Sequence, residues 1–220
     1  MLRVALAREK AILLSDPTAP LHYALFSVSG MLVAAAALDQ TGVDRRTALM
    51  AGYSLVLFFV QTLMVESVHR SDFATGLWQR IRLHGAIVSW YFGKIVTLTF
   101  LVLIMAAPLL WIGSQFMRVE LSWTQLSDLA FCVGIGALGF FALALVLLPI
   151  AAATGRRSLF LPLLLFPLSF PLMLAGGQVN LALTGSSGID AGFWLRLMLA
   201  LGTLYVACGL VLIDTVYIGE

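Results

Sequence analysis

Long apolar runs separated by short polar segments dominate the chain from residue 21 to residue 213. An α-helix needs about 20 mostly apolar residues to cross a bilayer, and each run approaches or exceeds that length. Because lipid offers no hydrogen-bond partners, the backbone of such a run must satisfy itself as a helix. The sequence therefore predicts six membrane-spanning helices, over residues 21–38, 48–65, 91–113, 129–150, 159–177 and 193–213.

The segment before the first run has a different pattern. Its leucines fall on one side of a helix and its basic residues on the other, which predicts an interfacial amphipathic helix over residues 1–16. Asp16-Pro17 would end this helix. Ala35-x-Ala37 before Asp39 also resembles the cleavage site of a signal peptide. A leader that carries both charge signs is atypical of one, so we expect the segment to be retained.

Composition excludes a soluble protein. Of the 220 residues, 61% are hydrophobic and only 11% are charged, whereas soluble domains carry about 25% charged residues. The spans leave only short connections, so residues 1–220 are expected to form a single transmembrane domain. No P-loop sequence is present, and the chain is therefore expected to be non-catalytic, with ATP hydrolysis on a separate partner chain. The net charge of +2 gives no reason to expect nucleic-acid binding.

The positions of the lysines and arginines predict the orientation of the chain. If both termini lie in the cytoplasm, nine of the thirteen basic residues fall on the inner side of the membrane, as the positive-inside rule favours. Residues 156–157 then lie inside, and the connection over residues 184–190 lies outside. Four tryptophans near the predicted boundaries are expected to lie at the membrane interface: Trp90 on the inner side, and Trp111, Trp123 and Trp194 on the outer side.

Two short motifs imitate functional sequences. Residues 134–139, GIGALG, match a dinucleotide-binding pattern, but they lie inside a predicted span and follow no strand, so they predict close helix packing instead. Residues 185–188, GSSG, imitate the motif of intramembrane serine proteases, whose serine needs a histidine base on a later helix. All histidines of the chain precede the motif, so none is placed to act as this base: His22, His69 and His84.

Few charged residues lie within the predicted spans. Those within the spans or directly beside them lie close to a predicted boundary, so their side chains are expected to extend along the helix to the membrane surface: Lys94, Asp128, Arg196 and Asp214. Both cysteines, Cys132 and Cys208, lie in apolar runs and are expected to be small core residues. No metal-ligand or haem-attachment motif is present, so we expect this chain to bind no cofactor or metal itself.

The connection over residues 66–90 is charged and, in the predicted topology, cytoplasmic. Phe73, Leu77 and Ile81 recur at helical spacing, which predicts a short amphipathic helix. Two interpretations stay open: a helix that lies on the membrane surface, or a docking helix that fits a groove of a soluble partner with Trp78 as its aromatic anchor. Under the second interpretation the partner contacts are Glu66, Asp72, Phe73, Gly76, Leu77, Trp78, Arg80, Ile81 and Arg82.

The fifth span contains Pro162, Pro167 and Pro171. We interpret it as the one span in which prolines occur. Each proline removes a backbone donor and clashes with the carbonyl group four residues earlier. The helix is therefore expected to be kinked or broken, and to contribute to a pathway through the membrane. The connection that follows, residues 178–192, is compatible with a simple turn or with a shallow re-entrant element.

Several of these residues stand in an order that resembles the CcmB family of type-2 ABC permeases. The acidic residues, glycine and lysine of that family's inner connection are matched by Glu66, Asp72, Gly76 and Lys94. Residues 166–172, FPLSFPL, are similar to the proline pair of its fifth span, and residues 155–157, GRR, to the basic turn before it. The resemblance runs over nearly the whole chain.

This resemblance implies an all-α, type-2 ABC permease-like fold in the bacterial inner membrane, as the membrane subunit of the haem-exporter complex of cytochrome c maturation. The implied partners are a cytoplasmic ABC ATPase subunit, a second copy of this chain, a haem-handling membrane protein and membrane lipid. Haem would be cargo of the complex. The alternatives are a type-2 permease for a lipid, polysaccharide or drug, and a membrane assembly scaffold that transports nothing.

Overall fold

The computed structural model describes residues 18–39, 42–74, 87–153, 157–185 and 188–218, and every element in these ranges is an α-helix. The six helices, numbered α1 to α6, are Thr18–Asp39, Arg45–Ala74, Ile87–Met117, Trp123–Ala153, Arg157–Leu183 and Ala191–Ile218. Each contains a stretch long and apolar enough to cross a membrane. The predictions of an all-helical fold and of six spans are thereby confirmed, whereas the interfacial helix predicted over residues 1–16 lies outside the described residues.

Most helices extend beyond the apolar runs, because capping side chains rather than hydropathy decide where they begin. α4 begins six residues before its predicted span. There the Gln125 backbone N–H donates to Ser122 Oγ at 3.2 Å, and the Ser122 N–H donates to Gln125 Oε1 at 3.0 Å. Asp44 before α2 and Asp190 before α6 likewise accept backbone N–H groups of the first turn, at 3.2 and 2.9 Å.

Two of the six helices form the inside of the bundle. α2 packs against α1, α3, α4 and α5, while α4 packs against α2, α3, α5 and α6. Accordingly, 72% of the most apolar part of both α2 and α4 is buried, against 22% for α1 and α6. The connections after α1, α3 and α5 lie at one end of the bundle, because Arg46 Nη1 donates to Thr184 O at 2.6 Å and Gln125 Nε2 donates to Leu183 O at 3.2 Å. We call this the Thr184 end.

The glycine motif at residues 134–139 lies in α4, at its crossing with α6. A Cβ atom on Gly139 would lie 2.9 Å from Gly202 Cα on α6, a separation that real Cβ atoms essentially never show. Only glycine at position 139 therefore allows the two backbones to approach this closely. The predicted packing role of the motif is confirmed for Gly139.

Three tyrosines join neighbouring helices through hydrogen bonds to backbone carbonyl groups. In the membrane such bonds fix a helix pair because they need a specific distance and register. The hydroxyl groups of Tyr53, Tyr91 and Tyr205 donate to the carbonyl oxygens of Ala106 at 3.2 Å, Ala142 at 2.9 Å and Leu168 at 2.5 Å, respectively. They connect α2 with α3, α3 with α4, and α6 with α5.

The prolines of the fifth span do not break the helix. α5 runs as one helix from Arg157 to Leu183 with all three prolines inside it. Pro108 in α3 and Pro149 in α4 also lie within helices, so the interpretation of a single proline-bearing span is wrong. Pro171 removes the helical donor of the carbonyl group four residues earlier, which belongs to Pro167. The Tyr205 hydroxyl group donates to the next carbonyl group along the helix, Leu168 O.

The connection predicted over residues 178–192 is shorter than expected, because α5 continues to Leu183 and α6 begins at Ala191. The Thr184 Oγ1 hydroxyl donates to Asn180 O at 2.9 Å and closes the last turn of α5. Gly185 then adopts a φ of 97°, a left-handed conformation that favours glycine. The described part of this connection is therefore a turn, which agrees with the simple turn rather than with the re-entrant element.

Two residues expected at the membrane surface lie inside the bundle instead. Lys94, in the second turn of α3, is only 2% exposed, so the expectation that it extends to the surface is wrong. Trp90 is 5% exposed and does not face lipid. Trp111 and Trp123, by contrast, are exposed near the Thr184 end, as an interfacial role requires.

Candidate functional site

Three of the predicted partner contacts belong to the described part of α2, towards its end away from Thr184. Glu66 is half-buried near the end of the apolar part of α2. Asp72 and Phe73 belong to the continuous helix α2, which ends only at Ala74, although the structure describes only their backbone. The remaining predicted contacts lie outside the described residues: Gly76, Leu77, Trp78, Arg80, Ile81 and Arg82. Docking and surface-lying interpretations of this segment therefore both stay predictions.

Two of the three prolines of α5 lie on the side of the helix away from the bundle interior. Pro167 and Pro171 are exposed and Pro162 is half-buried. The opposite side of α5, with Leu172 and Gly176, lines a cavity inside the bundle. The structure thus brings α5 to an internal space, but through residues other than its prolines.

This cavity lies between α2, α4, α5 and α6, has a volume of about 70 Å³, and is partly open to the outside. Its walls are mostly apolar, with large side chains such as Phe58, Phe140, Leu172, Met173 and Met198. Phe58 and Phe140 meet edge to face with ring centroids 5.8 Å apart. The polar side chains at its walls are Ser54, Gln61, Cys132 and Asn180.

The two carboxamides are the most informative of these polar groups. Asn180 is 5% exposed and Gln61 is 7% exposed, so both are shielded from solvent. Asn180 Oδ1 is buried and has no hydrogen-bond partner among the described residues. A buried acceptor without a donor costs about 1–3 kcal/mol, which is why such groups are rare unless a ligand or water satisfies them. The cavity therefore offers an acceptor to an incoming donor.

The described lining contains no charged side chain. A phosphate or carboxylate in the cavity would lack a cationic partner, and burying an unpaired charge is expensive. A neutral polar group carries no such penalty. The electrostatics of the cavity thus favour a neutral ligand.

A second space, a groove on the outside of the bundle, adjoins the cavity. It runs between α2 and α5, has a volume of about 350 Å³, and is lined mainly by apolar side chains that include Leu55, Phe166, Phe170 and Leu174. The groove and the cavity share Ser54, Met173 and Gly177. These three residues form the boundary between the cavity and the groove, between α2 and α5.

Sequence reasoning missed this cavity. Gln61 was visible as a polar residue inside a predicted span, but Asn180 fell in the connection predicted over residues 178–192, so the two were not assigned to one bundle. Cys132, expected to be a core residue, is buried and lines the cavity, whereas Cys208 is exposed on α6. Within the described residues, no group of three or more histidine, cysteine or acidic side chains is placed to hold a metal ion.

No family model, curated protein or solved structure matches this chain.

Proposed function

We propose that this chain is the membrane permease subunit of an ABC transporter complex that works with a cytoplasmic ATPase subunit. The observation that carries the proposal is the course of α2. This helix lines the internal cavity with Ser54 and Gln61, leaves its apolar part at Ser67, and continues to Ala74 without interruption. About 10 Å of helix therefore extends from the membrane part towards the predicted docking segment.

A continuous helix transmits displacement because its backbone hydrogen bonds resist bending. In the proposed mechanism, nucleotide-driven closure of the ATPase moves the segment over residues 66–90, and α2 shifts against α5 and α4. Packed helices commonly slide by about 1–2 Å in such transitions. A shift of α2 changes the cavity and the groove together, since α2 borders both.

The cargo of the complex is the second part of the proposal. The resemblance to the CcmB family favours haem handling in cytochrome c maturation, in the bacterial inner membrane, with a second copy of this chain and a haem-handling membrane partner. A type-2 permease for a lipid is the second candidate. The cavity supports it, because the propionate carboxylates of haem would find no cationic side chain among the described lining residues.

Copurification of an ATPase tests the permease function. Trp78→Ala should release the ATPase if Trp78 is a buried anchor, since removing such an anchor typically costs about 2 kcal/mol or more of association. Asp72→Lys should weaken the same contact in a salt-dependent way if Asp72 pairs with a basic residue. Trp123→Ala is the matched control, because Trp123 is 86% exposed at the opposite end of the bundle.

The outcomes separate the two interpretations of the inner segment. Loss of the ATPase with Trp78→Ala and Asp72→Lys, and retention with Trp123→Ala, supports docking. Wild-type amounts of copurified ATPase and wild-type ATP turnover with both inner variants would reject docking and favour a helix on the membrane surface. An expressed wild-type chain with which no ATPase copurifies favours the scaffold alternative.

A further inference from the structure

We propose that the internal cavity binds a neutral, hydrogen-bond-donating amphiphile of the bilayer, which reaches it sideways through the groove between α2 and α5. As a transport site the cavity rests on the permease function proposed above, whereas binding to the cavity does not require an ATPase. Different parts of this region define the head group, the apolar tail and the route of access of the ligand.

The head group is defined by the polar side chains of the cavity. Asn180 Oδ1 is a buried acceptor without a partner among the described residues, so the ligand should supply a hydroxyl or amide donor. Gln61 and Ser54 add further polar atoms at the cavity wall. None of the described residues that line the cavity is charged, so among them a phosphorylated or carboxylated head would find no counter-charge. Together these features select a neutral head with at least one donor.

The tail is defined by the groove. Phe166, Phe170 and Leu174 are exposed on the outer surface of α5, and Leu55 is exposed on the facing side of α2. All four lie within candidate membrane spans, where the surrounding medium is hydrocarbon. A groove of apolar side chains at this depth suits an acyl or prenyl chain better than a water-soluble molecule.

The route of access is defined by the three residues that border both spaces. Gly177 is the most permissive of these, because a Cβ atom built on it would meet nothing within 4 Å. The position is thus open space rather than a close helix contact. Met173, a flexible side chain, lies one turn away at the same border, and Ser54 faces them from α2. The proposed lateral route crosses this boundary, between α2 and α5.

Photo-crosslinking of the purified full chain tests the proposal. The chain is reconstituted without ATPase in phosphatidylcholine nanodiscs that contain diacylglycerol with a diazirine on an acyl carbon close to the glycerol. Adducts are then located by mass spectrometry of peptides. We expect adducts on the groove and also on the cavity, at or next to Gln61, Cys132 or Asn180. Phosphatidic acid with the same labelled chain should label the groove but not the cavity, because its head is charged.

Two variants test the mechanism of binding. Asn180→Leu should reduce cavity adducts of diacylglycerol by about 2- to 10-fold, the equivalent of one lost hydrogen bond, and leave groove adducts unchanged. Gly177→Trp should reduce cavity adducts by narrowing the opening, whereas the matched Gly177→Ala should retain them. The variant at position 177 does not depend on a polar group inside the bundle, so it tests access even if Asn180→Leu fails to fold.

Adducts confined to the groove would overturn the cavity as the binding site. Equal labelling of the cavity by phosphatidic acid, or unchanged labelling in Asn180→Leu, would overturn the neutral head group. Wild-type cavity labelling in Gly177→Trp would overturn the lateral route. Since no ATPase takes part, a negative copurification result for the permease function leaves these outcomes unaffected.

Discussion

The Tyr91 hydroxyl group on α3 occupies the space where a side chain at Gly209 on α6 would have to lie. From this position it donates a hydrogen bond to Ala142 O on α4 at 2.9 Å. Because Gly209 on α6 has no side chain, Tyr91 on α3 has room to form its hydrogen bond to α4. Tyr91 is completely buried, so its hydroxyl group has no solvent to turn to if the bond is lost.

Gly209→Ala is expected to destabilise the folded chain. The new methyl group overlaps Tyr91, which must move away from Ala142 O, and overpacking together with a lost buried hydrogen bond costs about 1–3 kcal/mol. Thermal unfolding of the detergent-solubilised protein measures the effect. Tyr91→Phe, which removes only the hydroxyl group, should cost about 0.5–1.5 kcal/mol.

The double variant provides the decisive comparison. Because both single changes remove the same hydrogen bond, their combined cost should be smaller than the sum of the two. Additive costs, or a Gly209→Ala variant as stable as wild type, would show that Tyr91 is not held in this way.

The α4–α6 crossing gives a second prediction with a built-in control. A methyl group at position 139 would meet the backbone of Gly202 at 2.9 Å, and backbone atoms cannot rotate away, so Gly139→Ala must separate the helices at a cost of about 1–3 kcal/mol. A methyl group at position 202 would lie 3.9 Å from Gly139 Cα, an ordinary van der Waals distance. Gly202→Ala should therefore be tolerated. Equal melting temperatures for the two variants would contradict this geometry.

The six helices could be predicted from the sequence, because the composition leaves no other way to bury so much apolar surface. Their ends were not, since a single capping residue such as Ser122 extends α4 by more than a turn without changing the hydropathy. The burial of Lys94 was also out of reach. Sequence gives its distance from the predicted membrane boundary, but only the packing of neighbouring helices decides which side of α3 faces inward.

The internal cavity depends even more on tertiary structure. Gln61 and Asn180 lie far apart in the chain, and they reach one cavity because α2 and α5 pack side by side around α4. The fifth span was predicted to end at residue 177, with the two glycines Gly176-Gly177, yet α5 continues to Leu183. If the fifth span had been predicted to continue as a helix beyond these two glycines, it would have included Asn180.

Labelling of engineered cysteines tests the predicted orientation. Hydrogen bonds join the starts of α2 and α4 to the end of α5, so Ser122→Cys and Ser187→Cys are expected on the same side of the membrane. The distribution of basic residues predicts that this side is outside. A membrane-impermeant maleimide should label both variants from the outside, in a background in which Cys132 and Cys208 are serine, and Arg156→Cys only after the inner side is exposed. Labelling of Ser187→Cys from the cytoplasmic side alone would reverse the topology.

The last prediction concerns haem. A tightly bound haem needs an axial ligand, and the residues of that kind at the described lining of the cavity are Cys132, Met173 and Met198. A cysteine ligates iron as a thiolate, which nearby cationic groups stabilise, but no described residue that lines this cavity is charged. Methionine ligates haem together with a histidine in cytochromes c, and no described lining residue is a histidine. His22 is exposed on α1 and does not line it. The purified chain, incubated with haem and freed of excess, should therefore show no stoichiometric Soret band, and Cys132→Ser should not differ from wild type. A tight Soret band that disappears in Cys132→Ser would place haem in the cavity, and one that depends on a histidine would place it elsewhere on this chain. Either band would favour haem over a neutral amphiphile as the ligand that this subunit handles.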